Sequence, residues 1–556
     1  MRARPVARAS LLALLTVCFA GCAARFESFP FVLADGTVIG MRESPGVGKE
    51  NEGLLEPKGA GGTTPLYRLV SPADISEDAQ ALSLLYRSTL ADCLLTLYAA
   101  EKDILTEVSI PATGDHAYRI LVPLAEDSRV FGFRLSTRET GGALKLLGAG
   151  TARHDRGFSI RGDEITLDGS VMIRSLGPDT LRARLSAAAG KKMTGNAWTL
   201  TVDFRSADAE ALRAAFAAAG DSSLVRSFSL SAGPEQTRFV FPAGAVGFLP
   251  QELTFSRKDA DDGGSTGGPL VSSVLIGFTG EGQPIPADPG IVLRYDRGEW
   301  RDPEYEIFSW TRFSGVLIFD TADYGVQDDF FKRLAFFVEK PGYAGTIWDP
   351  DELAAKHGWN AHDYRAEDLA RFFDVADKKG VPLTAGESEL KAILLANRII
   401  TAGESGYLGG EGAVISISRE SGDALRRQLL THECFHGVFF SLSEFRDACA
   451  RAWGALSEVE RGTWLLFLES STYDTRNEYL MINEFQSYLF QQPRDKVEEF
   501  QAVVLSRLNA KFPGKSAMLG RFINEHPDSF LRSFDYLDNA LRAAGGPPGG
   551  EAISVE

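Results

Sequence analysis

A chain of 556 residues with 44% hydrophobic content needs two or three globular units and can bury a core without disulfides. Its formal net charge of −17, with no basic cluster beyond the extreme N terminus, excludes nucleic acid as an expected partner. Acidity of this kind serves solubility and identifies no substrate.

In chain order, residues 1–21 read as a signal peptide. Arg2, Arg4 and Arg8 form a basic stretch, and Leu11 to Ala20 is an apolar run too short to span a membrane. Phe19-Ala20-Gly21-Cys22 resembles a bacterial lipobox. The resemblance implies cleavage before Cys22, thioether lipidation of Cys22, and a lipoprotein of the bacterial cell envelope. By the same analogy, Ala23 in place of Asp favours the outer membrane, with the protein facing the periplasm or the cell surface. Multiple acyl chains would hold the protein stably. Cys18 leaves with the signal, so Cys93, Cys434 and Cys449 remain, an odd count that argues against a disulfide framework.

Residues 22–64, with their Gly, Pro and Glu, are expected to be a tether, and 65–262 a β-rich N-terminal domain. Within it Leu82 to Glu101 reads as a buried helix and Asp208 to Ala219 as a short one. Tyr118–Val122, Arg129–Arg134 and Trp198–Phe204 carry strand patterns. The run Lys258 to Pro269 is a linker or long loop. Residues 269–543 form the expected C-terminal domain, beginning with strands at Val271–Phe278, Ile291–Tyr295 and Gly315–Asp320. Helices dominate after Trp348, starting from a cap, N1 proline and capping-box glutamate in Asp349-Pro350-Asp351-Glu352. The polar and aromatic run His357 to Tyr364 is expected to be a capped, packed loop, a substrate cleft being its other use. An amphipathic helix, Glu367–Ala376, follows. Residues 544–556 are expected to be a disordered tail.

The chemistry lies in Thr431-His432-Glu433-Cys434-Phe435-His436-Gly437, an H-E-x-x-H pattern. Ser421-Gly422-Asp423 supplies N-cap candidates, and Ala424 to Phe440 runs without proline. Histidines four apart on a helix share a face and can hold one metal ion. Glu433 stays beside that face, placed to take a proton from water activated there. Cys434 lies roughly 200° around the helix from both histidines, a poor position for a ligand.

A catalytic zinc takes three protein ligands. Phe439 and Leu442 stand where a glycine and a third histidine would continue the motif, so the third ligand comes from elsewhere. On the helical run Asn477 to Gln492, Glu484 sits among Leu480, Met481 and Tyr488, where a carboxylate needs a partner. Glu478, the rival, lies on a more polar face beside Asp474 and Thr475.

With these residues, segment 410–495 resembles the gluzincin zinc metallopeptidases. There H-E-x-x-H on one helix is completed by glutamate on a later one, and Asn483-Glu484 matches the Asn-Glu pair of thermolysin-like members. The resemblance implies Zn2+ held by His432, His436 and Glu484, with Glu433 as general base. It departs in its insert, Ser441 to Arg476, which carries helical runs at Glu444–Leu456 and Glu458–Leu468. Such enzymes stabilise the oxyanion with a Tyr or His. His526 is the downstream histidine, with Tyr479 and Tyr488 as alternatives. The strand Gly412–Ser418 before the active-site helix is either an edge strand that holds an extended peptide, as in related peptidases, or a core strand.

The expected protein is therefore α+β: a β-rich N-terminal region before a mainly helical, zincin-like catalytic domain with a small sheet. The expected function is a lipid-anchored extracytoplasmic zinc metallopeptidase acting on peptide or protein substrate. The rivals are an inactive structural or binding lipoprotein and a zinc hydrolase acting on non-peptide cell-wall material.

Overall fold

The computed structural model describes residues 282–556 and 238–257 without interruption. Of the remaining chain it describes the strands and a few flanking positions. The signal segment 1–21, Cys22 and the expected linker 258–269 lie outside the described residues. The fold class is α+β. The chain forms two compact units: Met1–Lys192 with Gln251–Phe255 and Gly264–Ile276, and Met193–Pro250 with Ser256–Gly263 and Gly277–Glu556. Residues 193–250, expected in the N-terminal domain, thus cluster with the C-terminal region.

The first unit is built mainly of antiparallel sheet, with Val171–Met172 parallel to Tyr118–Pro123 and Glu164–Leu167 parallel to Thr180–Leu185. Ala81–Ser88 lies between Leu144–Ala152 and Tyr118–Pro123, and Cys93–Ala100 lies between Arg129–Thr137 and Asp103–Ile110. The helix expected over Leu82 to Glu101 is therefore two strands. A continuous apolar run does not reveal its period, and pairing partners far along the chain decide the matter. The expected tether also corrects in part. Phe31–Val32 pairs with Val38–Ile39 and with Tyr67–Asp74, and Gly53–Leu55 pairs with Leu144–Leu146.

In the second unit Trp198–Phe204 pairs with Arg238–Pro242, and Glu210–Ala218 pairs with Asp221–Ala232. The short helix expected at Asp208 to Ala219 is this strand. Leu212, Ala214 and Phe216 alternate inward, and Phe216 packs on Phe228 and Phe241. Its alanines suggested a helix, but the period of two won.

The C-terminal region carries a five-stranded mixed sheet in the order β1 (Ile285–Ala287), β2 (Tyr305–Trp310), β3 (Val316–Thr321), β7 (Ala413–Ser418), β4 (Ala361–Arg365). The hairpin β5 (Ile400–Gly403) and β6 (Gly406–Gly409) stands apart from it. Strand β7 is parallel to β3 and antiparallel to β4, so the core-strand reading of Gly412–Ser418 holds and β4 is the edge. Ile291–Tyr295, expected to be a strand, falls largely in helix α1 (Pro289–Arg294), started by the Asp288 cap and Pro289.

Helices α2 (Tyr324–Val338), α4 (Ala366–Lys379) and α5 (Ala385–Ala396) share a core with β3, β4 and β7 through Phe330, Phe331, Leu334, Phe337, Phe372, Leu390 and Leu394. Between α2 and α4, the one-turn α3 (Pro350–Leu353) carries the expected capping box. Helix α6 (Asp423–Ser441) starts at Gly422. It passes close to β3 at Gly437, where a Cβ would meet Val316 Cγ1 at 3.1 Å. The insert folds as α7 (Ser443–Ala455) and α8 (Glu458–Ser470), as expected. Then come α9 (Glu478–Phe490), α10 (Val497–Lys511), α11 (Ser516–Glu525) and α12 (Ser529–Ala543).

The tail expected to be disordered is docked. Ser229 and Glu556 exchange backbone hydrogen bonds, and Ser231 N–H donates to Ser554 O. Ala552 and Val555 are buried, and the Asp288 carboxylate accepts from Val555 N–H and the Ser554 hydroxyl. The alternation Ile553-Ser554-Val555-Glu556 is a strand pattern too short to outweigh the Pro-Gly composition before it. A Cβ on Gly290 would lie 1.7 Å from the Val555 carbonyl oxygen. Gly290→Ala should therefore displace the tail at a cost of about 1–3 kcal/mol, read as a lower Tm and faster proteolysis at the C terminus. An unchanged Tm with a resistant tail would rule the docking out.

Candidate metal centre

Helix α6 presents His432, Glu433 and His436 on its buried side, and α9 brings Glu484 against them. The two helices are locked by Gln486, whose Nε2 donates to the Phe435 carbonyl. Glu484 lies between Leu480 and Tyr488 along α9, with Phe485 and Leu489 fully buried beside it, so the apolar stripe carries this carboxylate inward. Glu478 stands exposed in the first turn, outside the cluster.

His432 Nε2 and His436 Nε2 are 3.0 Å apart. Glu484 Oε2 is 3.5 Å from the first, and Oε1 is 3.7 Å from the second. A tetrahedral ion with bonds of about 2.0–2.1 Å holds its donors about 3.3–3.4 Å apart, so the triangle is of the right size. Glu484 Oε2 is closed to solvent and accepts no hydrogen bond. Two imidazoles and a carboxylate form a donor set suited to a divalent transition-metal ion.

The supporting shell comes from β4 and α9. Asp363 Oδ2 lies 3.5 Å from His436 Nδ1 and accepts from Asn483 Nδ2 at 3.2 Å. This is the arrangement that fixes the tautomer and orientation of a metal-binding histidine. Donor atoms of Asp363, Glu433 and His436 lie within 4.8 Å of one another, which sets Glu433 beside the triangle. The Tyr488 ring packs on His432 at 4.7 Å between centroids, and the Tyr473 phenol reaches Glu484.

These groups open into a cleft of about 690 Å3. His432, Glu433, Leu429 and Leu425 of α6 line one side. Trp359, Asn360, Ala361 and Asp363 line another, and Phe467, Tyr473, Tyr488, Phe500 and Val503 close it. The run His357 to Tyr364, expected to be a packed loop, thus supplies a cleft wall and the edge strand β4.

His526 is not part of this site. Its Nε2 meets the Ser457 hydroxyl at 3.1 Å and its Nδ1 lies near Glu460, at the N terminus of α8. Tyr479 is also elsewhere, packed on Phe439 under the Arg365 guanidinium. Of the three residues considered for the oxyanion, Tyr488 alone stands at the histidines, joined by Tyr473. Sequence reasoning missed Tyr473, Asp363 and Glu339. Only Asp363, in a run already marked by its polar and aromatic density, carried a signal.

Burial dominates the electrostatics. It pushes His432 and His436 down to about 4, keeping both imidazoles neutral and ready to ligate. It pushes Glu484 up to about 8 and Asp363 up to about 7. Glu433 and Glu339 are held well above the usual carboxylate range, with Asp363 and Glu484 adding like charge to both. A carboxyl whose folded pKa is raised binds its proton more tightly folded than unfolded. The stability it contributes is full below the unfolded value of about 4 and is lost as pH rises through the folded value. The two histidines, whose pKa values burial lowers, oppose this trend below their unfolded value of about 6.5, so chelator-treated protein should lose Tm between about pH 6.5 and about pH 8, and bound zinc should flatten that slope. Parallel pH profiles with and without zinc would show that these carboxylates do not face the ion.

No family model matches the chain, and no curated protein matches it. Among solved structures it is similar to the PBSX exported protein XepA at 11% identity, over 47% of this chain and 100% of that one. The TM-score is 0.12, which supports no argument about fold or activity.

Proposed function

We propose that this chain is a zinc-dependent peptidase of the bacterial cell envelope, anchored by lipid on Cys22. One observation carries the reading: the His432, His436 and Glu484 triangle, with Glu433 beside it, stands at the head of a solvent-accessible cleft. Zinc bound to those three residues would supply Lewis-acid polarisation of the scissile carbonyl and lower the pKa of a water toward about 7. Glu433 would be the group that takes a proton from the attacking water and returns it to the leaving amine. Tyr488, whose ring packs on His432, would serve as the oxyanion donor in this reading. Strand β4 pairs only with β7 among the described residues, which leaves its other edge able to align an extended peptide.

Two measurements test the reading together. Metal analysis should find about one zinc per chain, and a digest of a proteome-derived peptide library should show cleavage that a chelator stops and zinc restores. Stoichiometric zinc with no peptide cleaved would overturn the peptidase and leave a binding lipoprotein; turnover confined to cell-wall material would replace the substrate class. For the anchor, Cys22→Ser should release the protein from membranes or block its processing. Unchanged fractionation, with no acyl label on the wild type, would exclude it.

A further inference from the structure

Two helices, α6 and α9, bring the candidate ligands together, and the C-terminal segment touches both. At the end of α9, a Cβ on Gly549 would lie 2.6 Å from the Phe490 ring and 2.7 Å from the Phe534 ring of α12. A Cβ on Gly550, where φ is +80°, would lie 2.6 Å from the Gln492 carbonyl oxygen. Phe490 packs in turn on Phe435, 4.9 Å between centroids, and Phe435 adjoins His436 in the chain. The same segment meets α6 by way of α1. The Asp288 carboxylate accepts from Val555 N–H and the Ser554 hydroxyl. Burial and that nearby carboxylate push the thiol of Cys434, the residue after Glu433, well above its usual range. Glu556 pairs with Arg427, early in α6, at 3.0 Å. Gln428 of α6 and Gln492 after α9 both line the cleft, so these contacts reach its rim.

The balance that docks this segment is a narrow one. Asp288 is 1% exposed and has no ion-pair partner among the described residues. Burying a lone carboxylate is costly. Docking offsets that cost with two of the three donors at Asp288, the third being Gly290 N–H, and undocking returns the charge to water. Beyond Asp288, the strand Asp221–Ala232 holds the segment through backbone bonds at Ser229 and Ser231 only. Pro547-Pro548-Gly549-Gly550 separates this anchor from α12, so the anchor can open while the helix stays wound.

We propose that residues 547–556 are a latch on the metal centre. Docked, they hold α6 and α9 in the register that brings His432, His436 and Glu484 to one point. Released, they loosen both helices at the cleft rim and weaken metal binding. The proposal rests on the metal-centre reading and adds a means of regulating that site. The coupling is reciprocal: bound zinc should favour the docked segment by the factor by which docking favours zinc.

Two proteins test the latch: a chain ending at Gly546, and full-length Gly290→Ala, which displaces the anchor and serves even if the shortened chain fails to fold. Competition against a chromophoric chelator should show each holding zinc about tenfold less tightly than the wild type. An excess of synthetic peptide with the sequence of residues 547–556 should restore the shortened chain, whose groove is intact, and leave Gly290→Ala unchanged. Without metal, hydrogen exchange should rise at 425–429 and 488–492 in both proteins and stay low at 330–337 in the core of α2. Wild-type zinc affinity in both proteins overturns the latch. So does exchange raised throughout, α2 included, with no rescue by the peptide, which would make the segment part of the fold alone. A wild type that binds no zinc sinks the metal-centre reading instead, and exchange at the two helices, with its reversal by the peptide, then judges the latch by itself.

Discussion

Glu433→Gln is expected to keep its zinc and its fold while peptide turnover falls about a hundredfold or more. Glutamine preserves the volume and hydrogen-bonding reach of the side chain but cannot accept the proton. Glu433 is buried beside Asp363, Glu484 and Glu339. Removing its charge therefore relieves repulsion, and Tm should be unchanged or higher. The measurement is a zinc assay and a cleavage rate on variant and wild type side by side. Undiminished cleavage by Glu433→Gln would sink the mechanism, because no other carboxylate of the cluster directly follows a ligand on α6.

His432→Ala and His436→Ala should lose zinc and activity together, since each removes one of three donors. Glu484→Gln should weaken zinc far more than Glu478→Gln. Glu484 lies 3.5 Å from His432 Nε2, whereas Glu478 is exposed at the start of α9. Asp363→Asn should cost about ten- to a hundredfold in zinc affinity, because Asp363 acts through His436 without meeting the ion. Competition against a chromophoric chelator ranks all five variants. If Glu478→Gln is the damaging change, or if Asp363→Asn releases zinc as completely as His436→Ala, the ligand assignment is wrong.

Much of the candidate metal centre was legible because helical geometry is local. Histidines four apart must share a face, and an acid among Leu480, Met481 and Tyr488 is carried wherever that apolar stripe goes. The helices of the insert, the capping box at Asp349 and the strands at Trp198 and Val316 were legible for the same reason. Reading failed where period was hidden or pairing was distant. Leu82 to Glu101 has no resolvable period, Glu210–Ala218 alternates beneath a helix-forming composition, and the final residues find an edge strand more than three hundred positions away.

The sequence alone therefore determined the histidine pair on α6, the α+β class and the candidates for general base and third ligand, all consequences of neighbours within a few turns of chain. Only the tertiary structure decided that Glu484 meets the histidines at ligand spacing and that His526 serves α8. It also decided that β4 is the edge of the cleft, and that Asp363 and Glu339 join the acids there. Those decisions depend on which helix face meets which strand, and that is set by packing between segments as far apart as Asp363 and Asn483, 120 positions, beyond the reach of any local pattern.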